Sequence, residues 1–169
     1  MKVLKILILE DEINVLYTII KYFYDLDQKT TNKFITSYFS FDICQYKIPL
    51  QITEYDIILI DRDNLYSQNF HTIFFYSFKN IKNIDFNKYK NLSKKIYLIS
   101  GSEVNNKDFI NKFIKFWINN NIITNIQQQK EIEKILEANI YTKSLKNYLN
   151  IFKPYINKIV KEQKINFKK

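Results

Sequence analysis

Three short apolar runs, each stopping abruptly at polar residues, set the rhythm of this chain. Val3 to Leu9 runs into Glu10-Asp11-Glu12, Ile57 to Ile60 stops at Asp61, and Ile96 to Ile99 stops at Ser100-Gly101-Ser102. Short runs rich in β-branched side chains and bounded by polar residues read as strands buried on both faces of a parallel sheet. Longer stretches have a different period. Ile13, Leu16, Ile20, Phe23 and Tyr24 share one helical face over residues 13–25, and Phe109, Ile110, Phe113, Ile114 and Trp117 do so between Asn106 and Trp117. Glu12, near the start of the first helix, suits the helix dipole. Lys33 to Ser40 reads as a second strand, Ile122-Ile123-Thr124 as a short fifth strand, and Gln127 to Asn139 as a helix with Ile132, Ile135 and Leu136 inward. Residues 42–52 are ambiguous, and Pro49 limits any helix there to a short one. Residues 64–93 are the least readable part: His71 to Phe78 is apolar enough for a helix, and Asn80 to Leu92 reads as a loop with a further turn.

Strands alternating with helices predict an α/β fold with right-handed crossovers and a doubly wound parallel sheet. Ile6, Ile8, Ile58, Ile60, Leu98 and Ile99 are its expected core. Open sheets of this kind place their chemistry at the carboxyl ends of the strands. If the three main strands are parallel neighbours, Glu10, Asp11, Asp61 and Ser100 meet at one edge.

Composition changes this picture in two ways. The chain of 169 residues is 46% hydrophobic and 17% aromatic, enough for a real core, which suggests one domain with an extension. Its net charge of +9 is unevenly placed: residues 140–169 hold eight lysines against Glu162, a net +7 that leaves +2 for residues 1–139. A basic tail can attract nucleic acid or an anionic membrane. Yet Arg62 is the only arginine, Gly101 the only glycine and Ala138 the only alanine, a bias expected of an A+T-rich genome that inflates lysine without any binding role. A single cysteine, Cys44, excludes a disulfide framework and fits a reducing, cytoplasmic setting. No apolar run is long enough to span a membrane and no secretory signal is evident. With His71 as the only histidine, a Ser-His-Asp triad or a histidine metal site lacks material, and one glycine cannot build a phosphate-cradling loop.

The runs Ile6-Leu7-Ile8-Leu9-Glu10-Asp11-Glu12, Tyr55-Asp56-Ile57-Ile58-Leu59-Ile60-Asp61, Ile96-Tyr97-Leu98-Ile99-Ser100-Gly101 and Ile122-Ile123-Thr124 carry a resemblance. Over about residues 3–138 the chain resembles the receiver domain of response regulators. The resemblance implies a flavodoxin-like sheet of five strands in the order 2-1-3-4-5. It also implies Glu10, Asp11 and Asp61 as ligands of Mg²⁺, Asp61 as phosphoacceptor in a phosphorelay, and Ser100 as the switch hydroxyl. The chemistry suits those residue types. Mg²⁺ takes carboxylate oxygens while keeping several waters, and clustered carboxylates repel unless a cation neutralises them.

Departures qualify the likeness. The family has a lysine just after the fifth strand, in a Thr-Lys-Pro-like run, where Thr124 is here followed by Asn125 and Ile126. Asn125 thus stands in place of the family lysine, and an amide cannot supply an ammonium's charge-assisted bond. The aromatic switch position falls on Ile122, and Leu65 stands where the family usually has proline. The expectation is an atypical receiver whose read-out has degenerated. It would have no enzymatic activity beyond self-phosphorylation, and its output would run through contact with a protein partner such as a histidine kinase. Two alternatives stand beside it. One is a phosphorylation-independent pseudo-receiver that serves only as an interaction module. The other is a haloacid-dehalogenase-type phosphatase, which Asp61-Arg62-Asp63 resembles, with Asp61 as nucleophile and Asp63 as general acid.

Residues 1–139 then form the receiver-like domain and residues 140–169 a basic amphipathic tail. Tyr141, Leu145, Tyr148, Phe152, Tyr155 and Ile159 are spaced as a heptad seam, which Pro154 should kink or split. The seam can pack on its own domain, form a homodimer, or leave its lysines for nucleic acid.

Overall fold

All three apolar runs are interior strands. The computed structural model describes residues 3–10, 12–32, 34–44, 54–61, 85–100, 106–142 and 144–168. Strands β1 (Leu4–Leu9), β3 (Ile57–Asp61) and β4 (Ile96–Ser100) form the middle of a five-stranded sheet. Its edges are β2 (Phe39–Cys44) and β5 (Ile140–Thr142). The order is β2-β1-β3-β4-β5 and every pair is parallel. This is the flavodoxin-like order expected from the sequence, and it results from burial. Strands covered on both faces have no polar face to turn to water, so Ile57 to Ile60 are all within 2% of full burial.

Alternation along the strands divides the core in two. Leu7, Leu9, Ile58, Ile60, Ile96 and Leu98 face one side. There they meet α2 (Phe86–Ser93), α3 (Asn106–Asn119) and α4 (Ile126–Ala138) through Tyr89, Ile110, Phe113, Trp117, Ile132 and Leu136. Ile6, Ile8, Ile57, Leu59 and Ile99 face the other side, covered by α1 (Ile13–Gln28) and α5 (Leu145–Gln163). Phe23 of α1 sits at the centre of that second core, its ring 4.9 Å from Phe152 and 5.0 Å from both Phe39 and Phe41. All six expected core residues are buried, Ile6 to 0% and Ile99 to 3% exposed.

The elements differ from the sequence reading in four places. Phe86–Ser93 is a helix capped by Asp85, where the sequence suggested a loop with a further turn. Residues Ile35–Tyr38 are a 3-10 turn, and β2 begins only at Phe39, so the second strand lies later than Lys33 to Ser40. Ile122-Ile123-Thr124 is not a strand. It is the turn between α3 and α4, where Asn121 takes a left-handed φ of 60°. The amides of Ile122 and Asn121 close the end of α3 on the carbonyls of Trp117 (3.0 Å) and Ile118 (3.1 Å). That is the Schellman arrangement, in which an apolar residue just past the cap packs back on the helix. Ile122 and Ile123 are apolar for that reason and not because they pair in a sheet. The fifth strand is Ile140–Thr142, after α4, paired to β4 through Leu98↔Ile140 and Ser100↔Thr142.

The tail is correspondingly part of the domain. A boundary at residue 139 would cut away β5 and α5. Tyr148, Phe152 and Ile159 of the heptad stripe are buried in the second core, so that apolar face is closed against the protein's own sheet and is not an open dimer seam. Pro154 does not split the helix. It lies on the exposed side of α5, as does Asn150, the residue four before it whose carbonyl loses its amide partner. Among the described residues no helix is long and apolar enough to cross a membrane.

Candidate metal-binding site at the sheet edge

Strand order reverses between β1 and β3, since β2 lies on the far side of β1 and β4 on the far side of β3. Open α/β sheets place ligands outside the carboxyl ends of strands at such a point. Here β1 ends at Leu9 and hands the chain to Glu10, and β3 ends at Asp61, with Leu9 paired to Ile60. The two carboxylates are therefore neighbours. Both are 2% exposed. Glu12, at the N-cap of α1, completes a group in which one carboxylate oxygen from each of Glu10, Glu12 and Asp61 lies within 4.8 Å of the others. The turn is held by the Glu12 amide, which donates to Oε1 of Glu10 at 3.0 Å. Behind the acids a small cavity is lined by Ile8, Leu9, Ile19, Leu59, Ile99 and Tyr148.

This arrangement can hold a metal ion. Like charges less than about 5 Å apart repel by roughly 3–4 kcal/mol at an effective dielectric near 20. Apolar walls behind Glu10 and Asp61 remove the water that would otherwise screen them. A hard cation with oxygen ligands relieves both penalties.

Of the residues singled out from sequence, Glu10 and Asp61 converge as expected. Ser100 ends β4 one step beyond Ile99, the register partner of Asp61, so its backbone is at the same edge. Asp11 lies outside the described residues, as do Arg62, Asp63 and His71. Asn125 is not at this edge of the sheet by any strand. It is the N-cap of α4, its side chain accepting from the Gln128 amide at 2.9 Å, while the Gln128 side chain accepts from the Thr124 amide at 2.9 Å. Asn125 therefore does not follow a strand; β5 ends at Thr142, and Lys143, next in the sequence, lies outside the described residues. The departures drawn from Asn125 and Ile122 fall with the strand they assumed.

Two residues of the site are not singled out by the sequence as part of it, Glu12 and Tyr148. In the sequence Glu12 suits the helix dipole, and its approach to Asp61 depends on how α1 leaves β1. Tyr148 belongs to the heptad seam, and only the packing of α5 brings it to the cavity beside Glu10 and Asp61.

Comparisons with protein-family models, with curated proteins and with solved structures found no match. Fold and site by themselves define a flavodoxin-like α/β domain with a three-carboxylate cluster at its topological switch point.

Proposed function

We propose that this protein is a receiver-type phosphoacceptor that binds Mg²⁺ at Glu10 and Asp61 and takes a phosphoryl group on Asp61. The observation that carries the reading is the convergence of Glu10, Glu12 and Asp61 at the carboxyl ends of adjacent strands β1 and β3. Asp11 or Glu12 supplies the remaining carboxylate. A Mg²⁺ ion held there supplies charge neutralisation for the approach of an anionic phosphodonor. An oxygen of Asp61 attacks the donor phosphorus, the bond to the donor's leaving group breaks with its electron pair, and an acyl phosphate remains on Asp61. Ser100, at the end of β4, is the hydroxyl this reading assigns to the new phosphoryl oxygens. The donor is a phosphohistidine of a partner kinase, and output runs through protein contact.

The test uses acetyl phosphate with Mg²⁺. The expected result is one added phosphoryl group by intact mass, absent in Asp61→Asn and absent when the cation is chelated. Steady turnover of phosphomonoesters, lost in Asp63→Asn, would replace this reading by the phosphatase one. Mg²⁺ binding without phosphoryl transfer from either acetyl phosphate or a phosphorylated kinase would reduce the protein to a contact module.

A further inference from the structure

We propose that the exposed face of α5 is a docking surface for the phosphate backbone of duplex DNA, independent of the carboxylate site. Lys146, Asn150, Lys153, Asn157 and Lys161 are all exposed. Their spacing of 4, 3, 4 and 4 residues sets them on one ridge, about 22 Å long at 1.5 Å per residue. The opposite face of the helix is closed in the core through Tyr148, Ile151, Phe152, Ile156 and Ile159. Lys164 and Lys168 add exposed ammonium groups at the end of the helix, and Lys29 joins them because its carbonyl accepts from the Lys168 amide.

Lysine-rich composition alone does not account for this ridge, because α1 and α4 balance their lysines. In α4, Lys130 and Lys134 are set against Glu131, Glu133 and Glu137, and in α1, Lys21 is set against Asp25 and Asp27. The lysines of α3, Lys107, Lys112 and Lys115, outnumber its one acid, Asp108, but their spacing of 5 and 3 residues sets no ridge. On α5 the only acid is Glu162, which lies 3.9 Å from Lys158. Lys146, Lys153 and Lys161 form no ion pair among the described residues. Among the described residues α5 sets four lysines, three of them on one ridge, against the single acid Glu162, a clustering of positive charge on one helix face that fits a polyanion site.

The exposed residues also select among polyanions. A helix that binds a membrane surface inserts an apolar face, but the apolar face of α5 is already closed against the sheet. Single-stranded nucleic acid is held by aromatic platforms, and the ridge residues are lysine and asparagine only. A duplex offers about one charge per 1.7 Å of axis to a straight row of ammonium groups, and asparagine amides add hydrogen bonds to phosphate.

The test is fluorescence anisotropy with a short labelled DNA duplex. Binding in the micromolar range is expected at about 50 mM salt, falling with a log–log salt slope of about −2.7 or steeper for three or more phosphate contacts. The triple variant Lys146→Glu, Lys153→Glu, Lys161→Glu is expected to weaken binding at least tenfold. The charge-matched triple Lys107→Glu, Lys112→Glu, Lys115→Glu on α3 is expected to change it less than threefold. All six positions are exposed, so both variants keep the fold, as circular dichroism would verify. Equal loss in the two triples would make the effect one of net charge and overturn the assignment. So would failure of the wild type to bind the duplex, tighter binding of a single strand, or binding to phosphatidylserine vesicles in its place.

Discussion

Glu10 and Asp61 are buried carboxylates that face one another across adjacent strands, and burial turns their mutual repulsion into a property that can be measured. Glu10→Gln removes one carboxylate from the cluster and with it most of the response to a cation. Both proteins are compared with Mg²⁺ at a hundredfold excess over the wild-type Kd. The wild type gains about 2.7 kcal/mol, or about 5–10 °C for a chain this long, and the variant gains little. Thermal melts with and without Mg²⁺ check both arms. Another residue-scale effect lies on the opposite face of the sheet. Burial pushes the Tyr89 phenol up to about 12. The folded state favours the neutral phenol, so that contribution is complete below pH 10 and is lost as pH rises from 10 towards 12. It amounts to about 2–3 kcal/mol, and Tyr89→Phe should flatten the alkaline limb of the stability profile by that much in denaturant titrations. Glu10, Asp61 and Ser100 were legible in the sequence because each ends an apolar run. Glu12 and Tyr148 were not, since a helix start and a helix stripe look the same whether or not they border a cavity.

At the scale of elements, the error over the fifth strand has a physical cause. Ile122-Ile123-Thr124 and Ile140-Tyr141-Thr142 are alike in β-branched and aromatic content. The capping residues downstream of each run separate them. Asn125 with Gln128 three residues on is the signature of a helix start, and it places a helix directly after the first candidate. The second candidate comes after the end of α4 at Asn139 and has its own cap, Ser144, two residues past its last strand residue. The apolar pattern alone could not rank the two, and the capping residues could. Asn125→Ala should therefore cost about 1 kcal/mol of stability through the lost cap while leaving phosphoryl acceptance at Asp61 intact. Chemical denaturation and an intact-mass assay of the variant check the two halves of that expectation.

Across the whole molecule, strand order, parallel pairing and the central core were readable from periodicity, because strands buried on both faces leave little choice of partner. Membership of the last thirty residues in the domain was not readable, since a heptad stripe describes a helix that needs a partner without naming it. The partner is the face of β1, β3 and β4 that α1 leaves uncovered. A chain ending at residue 139 would lose six buried apolar side chains, Tyr148, Ile151, Phe152, Ile156, Ile159 and Ile165. At about 1.5–3 kcal/mol each, their loss is on the order of 9–18 kcal/mol, as large as the whole stability of a typical domain. Such a truncation should be unfolded, with collapsed amide dispersion in its proton–nitrogen spectrum. After α5 the chain turns at Lys164, with a left-handed φ of 51°, and Phe167 bridges antiparallel to Thr30. The Thr31 amide donates to the Asn166 carbonyl at 2.9 Å, and the Lys168 amide donates to Lys29. In mechanical terms this clasp is a strain relief. A pull on the C-terminal end loads a few backbone hydrogen bonds beside the end of α1 first, so traction is taken up before it reaches α5, whose Tyr148 lines the cavity beside Glu10 and Asp61.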